Sequence, residues 1–227
     1  MVYKPFRIAR IFGILLLICS VILLVVNPKP SDNLPEHFYT PIIAFEFIQT
    51  PQEVAAFFEV PDVNAYIETM LLGNWIDYAF MLFYSALLFC IALGIKKITG
   101  AQTMLLACLC CIIMLVCDAL ENYQIYLIIS RYKNQDILEN LALLNIFTWL
   151  KWGSIASAFL LFSPFFLKGK LFHKIIGCLG ISSFGLCMAA FLNHGILNEV
   201  FATNIVLVFL LLVIFVFTFK EKSASTL

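Results

Sequence analysis

Apolar and polar positions along this chain separate into long blocks rather than alternating within short elements. Six blocks are almost entirely apolar, and each is long enough to cross a bilayer as a helix, which takes about 20 residues. We place these spans near residues 8–27, 74–95, 101–129, 140–167, 173–193 and 200–219. The pattern therefore predicts an all-α polytopic membrane helix bundle with six transmembrane helices, forming a single membrane domain over residues 1–227.

One long connection, residues 28–73, separates the first two spans. Within it, the four residues from Thr50 to Glu53 combine a helix cap, a proline at the first helical position and a capping-box acid. This combination predicts a short helix over about 51–59. Asp62 can cap a further helix that runs without a break into the second span. The connection is therefore expected to be a partly helical loop.

Two apolar features are expected near the membrane surface at this loop. The stretch 41–47 is too apolar for a free loop, so we expect it to lie on the membrane surface or at the mouth of the bundle. The three tryptophans, Trp75, Trp149 and Trp152, fit an aromatic belt at the outer interface, so we interpret them as interfacial anchors.

The composition excludes several classes of protein. Of the 227 residues, 63% are hydrophobic and only 12% are charged, whereas a soluble domain carries about 25% charged residues. Soluble enzymes, nucleic-acid-binding proteins and secreted disulfide scaffolds are therefore excluded. All eight cysteines fall inside apolar runs, where a thiol behaves as a small apolar side chain. We predict neither a cofactor nor a disulfide framework.

The basic residues predict an orientation in the membrane. Three of them, Lys29, Arg131 and Lys133, lie on the side of the 28–73 loop, and Lys151 lies within a span. The other ten lie on the opposite side, at Lys4, Arg7, Arg10, Lys96, Lys97, Lys168, Lys170, Lys174, Lys220 and Lys222. Because lysine and arginine accumulate on the cytoplasmic side, we expect both termini to be cytoplasmic and the loop to be extracytoplasmic.

Ionisable residues inside the spans form the main candidate site, since such residues are costly in lipid and usually mark function. The third span carries Asp118, Glu121 and Asn122 on one helix face. The fourth carries Lys151, and the short connection between the two spans predicts an antiparallel hairpin. That hairpin places Asp118 level with Lys151, so we expect an ion pair between them with Glu121 beside it.

Further polar residues are expected at a similar depth. The helical rise of about 1.5 Å per residue places Asp77 and His194 toward the extracytoplasmic side as well. Tyr84 shares a helix face with Asp77, and Glu46 is expected just above this polar layer. The deeper parts of the spans are apolar, which argues against a continuous ion channel. Three scattered histidines predict no metal site.

Three short segments carry a resemblance to a known family. They read AFEFxxTP at 44–51, DYxFxxxY at 77–84 and DAxEN at 118–122. Together they resemble an uncharacterised family of small bacterial polytopic inner-membrane proteins, over roughly residues 40–155. The resemblance implies a multi-pass protein of the bacterial inner (cytoplasmic) membrane, and it implies no activity.

Three functions remain open from the sequence. The leading one is binding of a small molecule or membrane lipid in a polar pocket on the extracytoplasmic side, where Lys151 would meet an anionic or carbonyl group. The second is an intramembrane enzyme that uses Asp118, Glu121 and Lys151 on a lipid-like substrate. The third is a scaffold whose polar layer only joins helices. The surplus of acids over the single lysine favours a site, because crowded like charges hold one carboxyl group protonated.

Overall fold

The computed structural model describes residues 4–30, 34–134 and 136–219, without the side chain of Asn134. These residues form helices and their connections, and no strand occurs among them. Lys220 and Lys222, which contribute to the predicted orientation, lie outside the described residues. The all-α prediction is confirmed.

Six long helices and two short ones make up the fold. Their bounds are α1 (Lys4–Val26), α2 (Pro41–Glu46), α3 (Pro51–Phe57), α4 (Val63–Thr99), α5 (Thr103–Arg131), α6 (Leu138–Leu167), α7 (Leu171–Leu192) and α8 (Ile196–Thr218). All except α2 and α3 are long and apolar enough to cross a membrane. The chain is therefore a multi-pass membrane protein with six spans, as the hydrophobic blocks predict. As expected, α4 begins at Val63 and runs unbroken through the second span.

Neighbouring helices in the chain are also neighbours in space. Each long helix packs on the next, and α8 returns to contact α1. The Nε group of Arg10 in α1 donates a hydrogen bond of 2.6 Å to the carbonyl of Val216 in α8. A second bond from Arg10 reaches the carbonyl of Phe219 at 3.4 Å. Arg10 thus satisfies carbonyl groups at the end of α8 that lack helical partners. We call this end of the bundle the terminal end, and the opposite end the loop end.

The helices approach closely where side chains are small. At Gly180 in α7, a Cβ atom would lie 2.8 Å from the carbonyl oxygen of Phe159 in α6 and 2.6 Å from Ser163 Oγ. Only glycine permits this contact, and small residues at helix interfaces are typical of membrane bundles. Around it, the interior of the terminal half is filled by buried aromatic and aliphatic side chains.

The loop between α1 and α4 folds onto the ends of α5 and α6. Thr50 and Glu53 form the predicted capping box, with bonds of 3.2 and 3.0 Å, although α3 ends at Phe57 rather than near residue 59. Asp62 caps α4 by accepting from the backbone of Ala65 at 3.1 Å. The ring of Phe57 lies 4.9 Å from that of Phe45. Phe45 and Phe57 belong to a second apolar cluster that includes side chains of α5 and α6. This cluster attaches the loop to the bundle.

The apolar stretch 41–47 lies in the mouth of the bundle and forms α2. Phe45, Glu46 and Phe47 are all buried. Trp152 is buried as well, with 8% of its surface exposed, so it is not the interfacial anchor that its sequence position suggests. Its indole nitrogen needs a partner inside the protein, and Glu46 provides one. Trp75 is 66% exposed, as expected of an anchor.

Candidate functional site

Lys151 extends from the middle of α6 into the bundle and meets three carboxylates. Its Nζ atom lies 2.8 Å from Glu121 Oε1, 3.0 Å from Glu46 Oε2 and 3.5 Å from Asp118 Oδ1. Asp118 and Glu121 share one face of α5, whereas Glu46 is the last residue of α2. All four residues are at most 7% exposed. We call this group the lysine cluster.

The lysine cluster differs from the expected ion pair in two respects. The α5–α6 hairpin does bring Asp118 within reach of Lys151, but Glu121 lies closer. Glu46 belongs to the cluster instead of lying above it. The reason is the insertion of α2, which carries its terminal carboxylate inward to two donors on α6. These donors are Lys151 and the indole Nε1 of Trp152, which lies 2.8 Å from Glu46 Oε2.

Neighbouring side chains hold the carboxylates in place. The hydroxyl of Tyr84 in α4 donates a hydrogen bond to Asp118 Oδ2. The hydroxyl of Thr148 donates to the backbone carbonyl of Glu46 at 3.2 Å, which anchors the end of α2. Glu121 Oε2 is buried and accepts no hydrogen bond from any described residue. Tyr84 therefore contacts the lysine cluster through its hydrogen bond to Asp118. This contact does not depend on the helix face that Tyr84 shares with Asp77.

The lysine cluster is closed. The ammonium group of lysine has three hydrogens, and the Nζ of Lys151 is already surrounded by three carboxylates. Lys151 lines none of the cavities described here among residues 4–30, 34–134 and 136–219. The expectation that Lys151 receives an anionic or carbonyl ligand therefore does not agree with this geometry, because Glu46 occupies that position.

A small cavity lies at the loop end of the bundle, next to the lysine cluster. It has a volume of about 30 Å³, enough to hold a water molecule. Its apolar walls come from α1, α2, α4 and α5. Its polar lining consists of Asn27, Glu46, Asn74, Asp77 and Asn122. We call it the asparagine cavity.

Two hydrogen bonds organise this cavity. Asn122 in α5 donates from Nδ2 to Asp77 Oδ2 at 2.7 Å. Asn74, one turn before Asp77 in α4, donates from Nδ2 to the backbone carbonyl of Asn122 at 3.0 Å. Both bonds link α4 to α5. Asn122 and Asp77 thus meet as the sequence suggests, but they line the cavity beside the lysine cluster rather than contacting Lys151.

His194 lies outside both groups. It is exposed at the loop end, where its Nε2 atom is 2.8 Å from the side-chain nitrogen of Gln49. Its ring also faces that of Trp149, with 6.1 Å between centroids. The histidine therefore belongs to the surface contact between the loop and the α7–α8 connection. The contacts of His194 among the described residues are with Gln49 and Trp149, so the structure does not bring its side chain to the acids.

Comparison with protein-family models, curated proteins and solved structures finds no match.

The arrangement limits the chemistry that is available. Within residues 4–30, 34–134 and 136–219, no three histidine, cysteine, aspartate or glutamate side chains are grouped to hold a metal ion. All eight cysteines are free, and six of them are buried. The two polar groups together contain four carboxyl groups and one ammonium group. Because buried charge is normally compensated, this surplus of acid favours binding of protons or cations over binding of anions.

Several residues of the site were not identified from the sequence. Asn74 lies three residues before Asp77 on the same helix face, so helical spacing could have identified it. Trp152 follows Lys151 directly, and both side chains contact the same carboxylate oxygen of Glu46, which the sequence does not show. Asn27 follows the last residue of α1, and no spacing rule connects it with the second span.

Proposed function

We propose that this protein binds a small polar ligand in the asparagine cavity, which it reaches from the extracytoplasmic side. The observation that carries the proposal is the half-buried carboxylate of Asp77, which lies beside three asparagine side chains inside a membrane-spanning bundle. Polar and ionisable residues in spans are expensive to keep there, and they usually mark a binding site or a pathway. A purely structural contact needs no cavity beside it.

The orientation and location belong to the same proposal. The loop end carries few basic residues and the terminal end carries many, which supports an extracytoplasmic loop. The resemblance of segments 44–51, 77–84 and 118–122 to bacterial inner-membrane proteins supports that membrane as the location. The cavity then lies in the extracytoplasmic half of the bilayer.

The size of the cavity restricts the ligand. Pockets for drug-sized molecules have volumes of about 300–1,000 Å³, whereas this cavity has about 30 Å³. A lipid head group does not fit while α2 is in place. The small-molecule form of the prediction is therefore better supported than the lipid form.

The lysine cluster lies next to the cavity and holds α2, which forms part of the cavity wall. Glu46 belongs to both groups, since it lines the cavity and contacts Lys151 and Trp152. These contacts hold α2 over the cavity and fix the position of the Glu46 carboxylate. We therefore assign Lys151 a positioning role. No contact favours the enzymatic alternative, because the side chains of Asp118, Glu121 and Lys151 are directed toward one another.

Thermal stability of the purified full-length protein in detergent tests this function. The panel contains alkali-metal chlorides, calcium and magnesium chloride, small primary amines, and polyols. A ligand at about 100 times its Kd stabilises the folded state by about 2.7 kcal/mol. We expect at least one class to raise the Tm of the wild type by about 5 °C or more, and Asp77→Asn to abolish that rise.

The control for this experiment is Glu59→Gln, which removes an exposed carboxylate from the loop. It should respond to the panel as the wild type does. The proposal fails if no class changes the Tm, or if Asp77→Asn responds as the wild type does.

A membrane scaffold is the second candidate, and the closed lysine cluster favours it. Lys151 already has three carboxylate partners inside the protein, and such a cluster can serve to join α2, α5 and α6. If the scaffold function is correct, Asp77→Asn should leave growth and abundance in the native host unchanged, and the panel should produce no response.

A further inference from the structure

We propose that the ligand of the asparagine cavity is a monovalent alkali cation, with Na⁺ as the best fit. This inference rests on the proposed function and names its ligand class. It follows from the orientation of the asparagine amides, the fit of Asn27 against Gly73, the charge around Asp77 and the size of the cavity.

The hydrogen bonds determine which way two of the amides face. With its carboxyl group ionised, Asp77 only accepts hydrogen bonds, as does the backbone carbonyl of Asn122. The groups that approach them, at 2.7 and 3.0 Å, are the NH₂ ends of Asn122 and Asn74. Both asparagines line the cavity, and these bonds leave their side-chain carbonyl oxygens as acceptors. Oxygen atoms of carboxylates and amides are the ligands of hard cations.

Asn27 brings a third amide oxygen from a different helix. Its Oδ1 atom occupies the space beside Gly73, where a Cβ atom would overlap it. Glycine at position 73 therefore lets the side chain of Asn27 enter between α1 and α4. The result is an oxygen-rich lining from three segments of the chain, namely the end of α1, the first half of α4 and the second half of α5.

The charges near the cavity favour a single positive charge. No basic residue contributes to the lining described here. Glu46 also lines the cavity, but its Oε2 atom already faces Lys151 and Trp152. Among the residues that the structure describes, only the neutral amide of Asn122 donates a hydrogen bond to Asp77, and no salt bridge reaches this carboxylate. One monovalent cation would balance its charge.

The size of the cavity agrees with an ion and not with a larger molecule. A volume of about 30 Å³ holds one or two particles of the size of water. Main-chain carbonyl oxygens inside membrane bundles coordinate Na⁺, and side-chain amide oxygens are also ligands of hard cations. An alkali cation with a residual water therefore fits the space, the donor atoms and the charge.

The test measures the Tm of the full-length protein while Na⁺ replaces N-methyl-D-glucamine at constant chloride and ionic strength. We expect the Tm of the wild type to rise with Na⁺ and to saturate. Li⁺, K⁺ and Ca²⁺ are tested in the same way, and binding of ²²Na⁺ to the purified protein is measured directly. Asp77→Asn should abolish both the Tm rise and the ²²Na⁺ binding.

A pair of glycine substitutions provides a matched comparison. Gly73→Ala displaces Asn27 and should require about tenfold more Na⁺ for the same rise. Gly153→Ala introduces the same methyl group at a helix position where no atom lies within 4 Å. It should respond to Na⁺ as the wild type does. Asn27→Ala removes the same oxygen without crowding the helices, so it gives an independent result if Gly73→Ala does not fold.

The possible outcomes separate this inference from the proposed function. The inference fails if Na⁺ has no effect, if all salts act alike, if Ca²⁺ alone binds, or if Asp77→Asn and Asn27→Ala bind ²²Na⁺ as the wild type does. In that case an Asp77-dependent response to amines or polyols would still support binding in the cavity. If no compound acts through Asp77, both the inference and the proposed function fail.

Discussion

The ammonium group of Lys151 lies 3.0 Å from the carboxylate of Glu46, and this contact joins the middle of α6 to the short helix α2 of the loop. The next residue of α6, Trp152, donates a hydrogen bond of 2.8 Å to the same carboxylate oxygen. Two adjacent residues of one span therefore hold the loop in the mouth of the bundle. The side chain of Glu46 is the part of the loop on which that attachment depends.

Removal of this carboxylate should loosen the loop. Glu46→Ala leaves the indole of Trp152 without its acceptor, and we expect it to lower the free energy of unfolding by about 1–3 kcal/mol. Glu46→Gln retains an acceptor and should cost less. Thermal unfolding in detergent measures both, with the exposed Glu59→Gln as the control. Equal stability of Glu46→Ala and the wild type would contradict the docking of α2.

The contact between Lys151 and Glu121 can be measured with a double-mutant cycle. Lys151→Met leaves three buried carboxylates without a cation, which costs about 3–5 kcal/mol for a buried pair in general, though nearer 1 in membrane bundles. Adding Glu121→Gln removes one of these charges and should recover part of the loss. We expect a coupling energy of about 1 kcal/mol. A coupling of zero would contradict the 2.8 Å separation.

Glu199 in α8 should control the start of α2. Its carboxylate accepts from the backbone nitrogens of Tyr39 and Thr40, at 2.9 and 2.7 Å, and from the hydroxyl of Thr40 at 2.8 Å. These bonds hold the N-cap residue Thr40, whose own side chain makes no capping bond. Glu199→Gln should speed hydrogen exchange at Tyr39 and Thr40 about tenfold, in keeping with a loss of about 1.4 kcal/mol.

The control for this measurement is Glu139→Gln, because Glu139 is exposed in the first turn of α6. It should leave exchange at both amides unchanged. Unchanged exchange in Glu199→Gln would show that α2 is held by its apolar side chains alone.

The orientation can be tested with single cysteines in a background without the native ones. Glu59→Cys and Asp136→Cys lie at exposed positions of the loop end, and Gln102→Cys and Lys170→Cys at exposed positions of the terminal end. We expect an impermeant thiol reagent to label only the first pair in intact cells. Labelling of only the second pair would reverse the orientation and place the asparagine cavity on the cytoplasmic side.

The number of spans could be predicted because it depends on a property that a sequence shows directly. A run of apolar residues must be helical in a bilayer, since each backbone polar group needs an internal partner. The same reasoning explains the cap at Asp62 and the capping box at Thr50 and Glu53, where local side chains alone decide the geometry.

The site could be predicted only in part. Asp118, Glu121 and Lys151 face each other across a short hairpin, and a single connection determines their register. Glu46 approaches them from a segment that is 102 or more residues away from Thr148 and Trp152, its hydrogen-bond partners on α6. Helical periodicity carries no information about such a contact. His194 shows a second limit, because an estimate of depth along a helix does not determine the direction of a side chain.

The hydrogen bonds of Arg10 to the end of α8 also bear on the order in which the protein is made. Arg10 precedes its acceptors, Val216 and Phe219, by 206 and 209 residues along the chain. During synthesis α1 can therefore pack on α4 before its hydrogen bonds to α8 can form. These bonds require that α8 lies beside α1, and a chain cut short before α8 leaves the guanidinium group of Arg10 without these acceptors.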